Sequence, residues 1–421
     1  YEYSPFFVNL KGYPIAEFIS SPDNLGRFIY FDVDNKKLTE YIDILINNQS
    51  IKTPREIYDL IPSHVVSSPT GLNEATGSYC AQMVKLFIKK HIVLKNQIDY
   101  DIMTAYILLT WIYNGFHSLP YLRFYGEYGT GKTTCLEVIA ALAYRAMNLS
   151  GAVTTAPVFR IIKNVKGTFI IDEADFARSD YDNFIIKILN SGYTRGFGVI
   201  RMSPKRVPEN FDVFGCKVLG TREKFKDDAL ESRCITIVTE VADLTKIVPL
   251  QNTDSKKWAA RLQNSLLYFR FNYNYSIIEK ETIKLHSYLM KHGCEPRTAQ
   301  IITPLLIAGI NTPIWNKKKE IIKSVNDYLI AIRELSPDNI IKTLIKNYKL
   351  EHPLDSTVTL TILRQYLPED LQKVYSPRKL ATVARRVGYH SVRRKDGFHI
   401  ILFKGQSKCQ TNQTDQTLPI L

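Results

Sequence analysis

Cysteine is scarce and never paired at short range. Six occur in 421 residues, at 80, 135, 216, 234, 294 and 409, with no C-x-x-C among them. That spacing argues against a zinc module and a disulfide framework, and it points to a reducing, cytoplasmic setting. Long apolar runs are missing too. None reaches the roughly 20 residues that a membrane span needs, and the richest stretch, 105–113, reads as a buried helix. No membrane partner, signal peptide or internal repeat is expected. The first residue is Tyr1 and not Met, which leaves an upstream domain open.

Acidic residues are in short supply. Asp and Glu number 41 against 55 Lys and Arg, a formal net charge of +14. Such an excess favours a polyanionic partner. The charge is concentrated: nine basic residues between Ser376 and Lys408 meet a single acid, Asp396. Hydrophobic residues make up 45% of the chain, enough for a sizeable core, and the length allows two to three domains.

One motif stands out. Gly126-Glu127-Tyr128-Gly129-Thr130-Gly131-Lys132-Thr133 is a complete G-x-x-x-x-G-K-[ST] phosphate-binding loop. The mostly apolar and aromatic run before it, 121–125, reads as a buried strand, and the run from Thr134 reads as a helix, the context this loop requires. Glycines at 126, 129 and 131 let backbone N–H groups converge on phosphate, with Thr130 and Thr134 beside them. Lys132 would reach the β- and γ-phosphates of ATP, and the Thr133 hydroxyl would ligate Mg2+. Forty residues after Lys132, β-forming residues 168–171 run into Asp172 and Glu173. A parallel strand ending in acids delivers them to the ligand edge of an α/β sheet. Asp172 would then hold the magnesium, and Glu173 would act as general base on water. An ordinary strand with an acidic turn is the plainer alternative.

Further along, residues 183–190 read as a helix. Residues 196–204 and 211–220 read as strands about a turn carrying Lys205 and Arg206, a basic tip suited to a phosphate backbone or equally to a solvated loop. Thr221 ends the next buried strand, where its hydroxyl could meet the attacking water or the γ-phosphate. In 228–234 a short helix leads through Arg233 into the strand 235–238. Arg233 reads either as an arginine finger reaching a neighbouring subunit's site or as a cap on helix carbonyls. Helices are expected at 74–90, 99–115, 258–271, 276–291, 297–310 and 319–335.

The order of phosphate loop, D-E strand, basic hairpin, strand-end Thr and S-R before a final strand resembles AAA+ ATPases. More narrowly it is similar to the hairpin-bearing branch that includes minichromosome-maintenance helicases, and especially to replicative helicases of phages, plasmids and other mobile elements. The resemblance covers about residues 75 to 405. It implies Thr221 as sensor 1, Arg233 as the finger, and Arg297, in the run Glu295-Pro-Arg-Thr-Ala, as the sensor 2 arginine of the lid. Three features favour the mobile-element branch: Thr in place of the usual Asn at 221, little room for a helical insertion between Lys132 and Asp172, and no upstream zinc motif.

The expected fold is α/β. An N-terminal region of unknown role spans 1–75, an AAA+ core with a parallel sheet 76–250, a helical lid 251–335, a winged-helix domain 336–405, and a disordered tail 406–421. In the winged domain Arg378, Lys379, Arg385 and Arg386 fall on the third helix and Arg393, Arg394 and Lys395 on the wing, a footprint for duplex DNA or a basic face for a protein. The resemblance implies an ATP-dependent DNA helicase or translocase that forms a homo-oligomeric ring, expected to be a hexamer, on single- and double-stranded DNA. An AAA+ loader, replication initiator or transposition regulator is the alternative, and a nucleotide-gated switch a third.

Overall fold

The computed structural model describes residues 2–4, 7–10, 13–19, 27–32, 37–41, 44–46, 49–51, 70–149, 158, 161–162, 165–175, 180–202, 207–225, 227–241, 247–334, 336–394 and 397–402. Lys205, Arg206, Lys395 and the tail 406–421 lie outside the described residues. The chain divides into two compact units, Tyr1–Asp327 and Tyr328–Leu421.

The first unit opens with an antiparallel sheet in sequential order, β1 (Glu2–Ser4), β2 (Phe7–Leu10), β3 (Tyr13–Ile19), β4 (Arg27–Asp32) and β5 (Lys37–Tyr41). A short pair, β6 (Ile44–Ile46) and β7 (Gln49–Ile51), follows. Two helices precede the phosphate loop: α1 (Gly77–His91), N-capped by Thr76, and α2 (Gln97–Ile112), buried along nearly its whole length as its apolar run implied. The central sheet is all parallel. Its strands are β8 (Tyr121–Tyr125), β9 (Met147–Leu149), β10 (Phe169–Ile171), β13 (Lys217–Thr221) and β14 (Cys234–Val238), in spatial order β14-β8-β13-β10-β9. β13 therefore lies between the strand that feeds the phosphate loop and the strand that ends in acids. Parallel strands covered on both faces are largely apolar, as Tyr121, Leu122, Phe124 and Phe169–Ile171 are, with Arg123 a buried charged exception.

Helix α3 (Lys132–Leu142) follows the loop, α4 (Asp180–Ser191) follows the acids, and a hairpin of β11 (Gly198–Met202) and β12 (Pro208–Asp212) follows α4. The single strand expected over 211–220 is split. The Asp212 carboxylate accepts the Phe214 N–H at 3.0 Å, which turns the chain out of the hairpin. Lys217 then donates to the carbonyls of Val213 (2.8 Å) and Gly215 (3.0 Å) and fixes the turn beneath the core sheet. Burial pushes this ammonium down to about 7. After the single-turn α5 (Asp228–Glu231) and β14 come α6 (Thr253–Asn272), α7 (Ser276–Lys291), α8 (Pro296–Ala308), α9 (Pro313–Asn316) and α10 (Lys318–Glu334). Helix α6 packs on α1, α2 and α3, and α8 packs on α2 and α7.

Charge ties the N-terminal sheet to this body. Glu17, on β3 and 1% exposed, accepts from Arg145 (2.8 Å), Arg270 (2.5 Å) and the Tyr144 hydroxyl (2.9 Å). Arg145 follows α3 and Arg270 lies on α6, so one buried carboxylate joins three parts of the unit.

The second unit runs α11 (Pro337–Glu351), β15 (Thr357–Thr359), α12 (Leu360–Gln365), α13 (Glu369–Val374), α14 (Pro377–Arg386), β16 (Ser391–Arg394) and β17 (Gly397–Ile401). Its strands form an antiparallel sheet in the order β15-β17-β16 over a core that includes Ile341, Leu344, Val358, Leu363, Leu380 and Ile400. Ser336, Thr359 and Ser376 cap α11, α12 and α14. Helix α14 buries Leu380, Ala381, Val383 and Ala384 and leaves Arg378, Lys379, Arg385 and Arg386 exposed. Arg393 and Arg394 are exposed on β16.

Candidate nucleotide site

The loop between β8 and α3 forms for identifiable reasons. Gly129 and Gly131 sit at φ +76° and +83°, the left-handed region that a side chain disfavours. A Cβ on Gly126 would lie 2.5 Å from the Thr239 carbonyl oxygen, so the chain can pass there only as glycine. The Thr130 hydroxyl donates to Glu127 O at 2.8 Å and lies 2.8 Å from the Thr239 hydroxyl, which fastens the loop to the end of β14. Lys132 Nζ donates to Gly126 O (2.8 Å) and Glu127 O (2.6 Å) and curls over its own loop.

The acids face this loop. Thr133 Oγ1 donates to Asp172 Oδ2 at 2.8 Å. Gly220 on β13 permits that approach, since a Cβ there would come within 2.8 Å of Asp172 Oδ1. Glu173 adopts φ +53°, its N–H donates to Asp172 Oδ1 at 2.9 Å, and its carboxylate stands exposed. The cavity has a volume of about 430 Å3, in the range of small-molecule sites. Residues 128–134, Asp172 and Glu173 line its polar side. Ile92, Val93, Val241 and Ile247 line an apolar side suited to a purine base. Hydrogen bonds pin that wall: Val248 N–H to Lys90 O at 3.1 Å, and His91 Nδ1 to Val248 O at 2.6 Å.

Besides the apolar wall, two charged cavity residues, Arg222 and Asp175, were not anticipated in the sequence. Arg222, one residue past Thr221, donates to Glu173 Oε1 at 3.1 Å. Asp175 accepts the backbone N–H groups of Arg222 (2.6 Å) and Glu223 (2.9 Å). Thr221 itself is wholly buried and does not line the cavity. Among the described residues its hydroxyl has no hydrogen-bond partner, which costs roughly 1–3 kcal/mol. The signal for Arg222 lay in its place at the carboxyl end of the central strand, where α/β ligands gather.

Arg233 and Arg297 are elsewhere. Arg233 immediately precedes Cys234, whose register partner is Tyr121, whereas the phosphate loop leaves β8 after Tyr125. Four strand steps at about 3.3 Å put some 13 Å of sheet between Arg233 and its own loop. A buried ion pair holds the segment: Glu231 receives both terminal nitrogens of Arg123 on β8, one at 2.6 Å. Arg233 donates to Asn190 Oδ1 at the end of α4 and stacks over the Tyr193 ring at 5.4 Å. Arg297 lies over the same ring at 5.6 Å and donates to Gln300 at 2.6 Å. The two arginines thus share one ring at the end of the sheet opposite Lys132. Among them Asp227 accepts from Asn190 at 2.9 Å. Burial pushes the Asp227 carboxyl up, but the hydrogen bonds from Asn190 and from two backbone N–H groups, with the Arg233 charge, outweigh it and hold the group below its ordinary range.

No family model matches the chain, and no curated protein does. Among solved structures, the active helicase Cch of SCCmec type IV aligns at 13% identity over 95% of this chain and 97% of its own, with a TM-score of 0.46. The C-terminal region of NrS-1, in an apo A form, aligns at 11% identity over 89% of this chain and 96% of its own, with a TM-score of 0.38. Among the described residues no helix is long and apolar enough to cross a membrane.

Proposed function

We propose that the chain is an ATP-driven DNA helicase or translocase of the AAA+ class that works as a ring, in the branch of replicative helicases carried by mobile elements. The observation that carries this reading is the separation within one chain. Lys132, Asp172 and Glu173 stand at one end of the parallel sheet, and Arg233 with Arg297 stands at the other. A single copy cannot bring both sets to one nucleotide, whereas successive copies in a ring, expected to be a hexamer, can.

In that site Lys132 would leave the Gly126 and Glu127 carbonyls for the β- and γ-phosphates, with the loop N–H groups and the start of α3 cradling the rest. Thr133 and Asp172 fit Mg2+, which takes few protein ligands and completes its shell with phosphate and water. Its chemistry there would be to neutralise charge on the phosphates. Glu173 would take the proton of the attacking water. Arg233 and Arg297 would arrive from the neighbouring copy and stabilise the charge that develops on the transferred phosphoryl group.

The DNA contacts follow the charge. The hairpin β11–β12 would carry Lys205 and Arg206 to a single strand. We read the second unit as a winged-helix domain, with α14 as the recognition helix and β16–β17 as the wing. Exposed Arg378, Lys379, Arg385, Arg393 and Arg394 suit a duplex backbone. Arg386 is partly engaged, since its Nε donates to Asp338 at 2.8 Å.

Strand displacement from a forked DNA separates this reading from that of a loader or initiator. ATP with magnesium should release the displaced strand, and the Lys205→Ala/Arg206→Ala double variant should hydrolyse ATP without releasing it. ATP hydrolysis and DNA binding by the unaltered chain without any displacement would favour the loader.

A further inference from the structure

We propose that Tyr193 is a positioning residue whose ring holds both Arg233 and Arg297 ready for the nucleotide of a neighbouring copy. The assignment rests on the shared-site reading above and adds to it an aromatic side chain that belongs to none of the motifs.

The chain fixes the ring firmly. Helix α4 ends at Ser191, and Gly192 follows where a Cβ would come within 2.4 Å of the Val213 carbonyl oxygen and 2.5 Å of Lys217 Nζ. The Tyr193 carbonyl accepts the Leu119 N–H at 3.0 Å, and Ser118 and Thr194 form an antiparallel bridge next to it. Residue 193 is thereby tied to the segment that enters β8. Tyr193 is only 2% exposed. The Tyr121 ring meets it edge to face at 6.2 Å, and the Tyr121 hydroxyl donates to Leu189 O at 2.5 Å, near the end of α4. A ring packed at interior density keeps one orientation.

Each arginine has one neutral polar anchor and the same ring. Arg233 donates to Asn190 Oδ1, and its guanidinium lies 5.4 Å from the ring centre. Arg297 donates to Gln300 at 2.6 Å and lies 5.6 Å from that centre. Both arginines are half-buried, so part of each stays open to an incoming group. Two guanidinium groups brought to one phosphate repel each other, and the negative face of an aromatic ring offsets part of that repulsion. An arginine over a ring uses the face of its guanidinium and keeps its N–H edge for phosphate. The amide oxygens of Asn190 and Gln300 are weaker acceptors than a phosphate, which makes charge-assisted bonds. A phosphate can therefore take the N–H groups from the amides while the ring retains its hold.

Changing the charge on the ring without changing its shape tests this. ATPase and ADP affinity are measured for Tyr193→Phe and for a chain with pentafluorophenylalanine placed at 193. Fluorination keeps the size of the ring but reverses the polarity of its face. Tyr193→Phe should stay within about twofold of the unaltered chain, whereas the fluorinated chain should lose ATPase by about tenfold or more, the strength of two partly buried cation–π contacts. ADP affinity should not change in either. Mixed assemblies, verified as such, then locate the defect. The fluorinated chain combined with Glu173→Gln should exceed the summed activities of the two alone, because some junctions pair an intact Glu173 with arginines on an unaltered ring. Combined with Arg233→Ala it should show no such rise, since neither chain brings a complete arginine side. Equal activity of the Phe and fluorinated chains would overturn the proposal. So would a loss of ADP affinity, a rise with Arg233→Ala, or no rise with Glu173→Gln. If instead Arg233→Ala and Glu173→Gln fail to restore each other, the shared-site reading itself falls.

Discussion

Glu173→Gln is expected to retain nucleotide and lose hydrolysis by about 10²–10⁴-fold, the usual worth of a positioned general base. The amide keeps the shape of the carboxylate but cannot take a proton from water. Lys132→Ala is expected to fail one step earlier, at binding. Its ammonium already lies on the loop, 2.8 Å from Gly126 O, and nothing else on α3 can carry that charge to the phosphates. The contrast matters more than either loss, because a fold defect would remove binding in both variants. Steady-state ATPase with parallel binding measurements checks it. Full activity in Glu173→Gln would show that this carboxylate is not the base.

Glu17→Leu is expected to destabilise the first unit by roughly 3–5 kcal/mol, the cost of leaving a buried charge without its partner. Here two guanidinium groups, Arg145 and Arg270, both within 1% of full burial, would lose the carboxylate they share. The loss is a large share of the roughly 5–15 kcal/mol that holds a folded unit together. Burial pushes the neighbouring Tyr144 hydroxyl up to about 12, so it stays protonated and cannot replace the missing charge near neutral pH. All three tryptophans, 111, 258 and 315, belong to the first unit, and Trp111 lies 5.3 Å from the Tyr144 ring. Tryptophan fluorescence, excited selectively over tyrosine, therefore reports on this unit alone during urea unfolding. A midpoint equal to that of the unaltered chain would mean that the N-terminal sheet is a passenger and that Glu17 does not clamp it to the helices.

The legible parts of this molecule are those whose chemistry is local. The phosphate loop is contiguous and its glycines answer a backbone demand, so its form follows from eight residues. Asp172 and Glu173 were legible because a run of β-formers delivers them to a sheet edge. Arg222 was hidden behind Thr221: one residue separates a buried strand end from a cavity wall, and only the register with Tyr125 decides which is which. The apolar wall was hidden for another reason, since Ile92 and Val93 meet Val241 and Ile247 only in three dimensions. Nothing local in the sequence marks Glu17 as buried, because a carboxylate is usually solvated. Its partners lie more than 100 residues away. The apolar run over 211–220 was read as continuous because hydrophobic pattern does not register the Asp212 turn or the Lys217 anchor. Strand β15, with three residues, was too short to leave a period.

The central claim is that one copy supplies the loop and acids while another supplies Arg233. Mixing tests it most directly. Arg233→Ala and Glu173→Gln chains should each be inactive alone. When they are combined and shown to assemble together, part of the ATPase should return, because some junctions then pair an intact Glu173 with an intact Arg233. No return of activity in verified mixed assemblies would contradict the shared site.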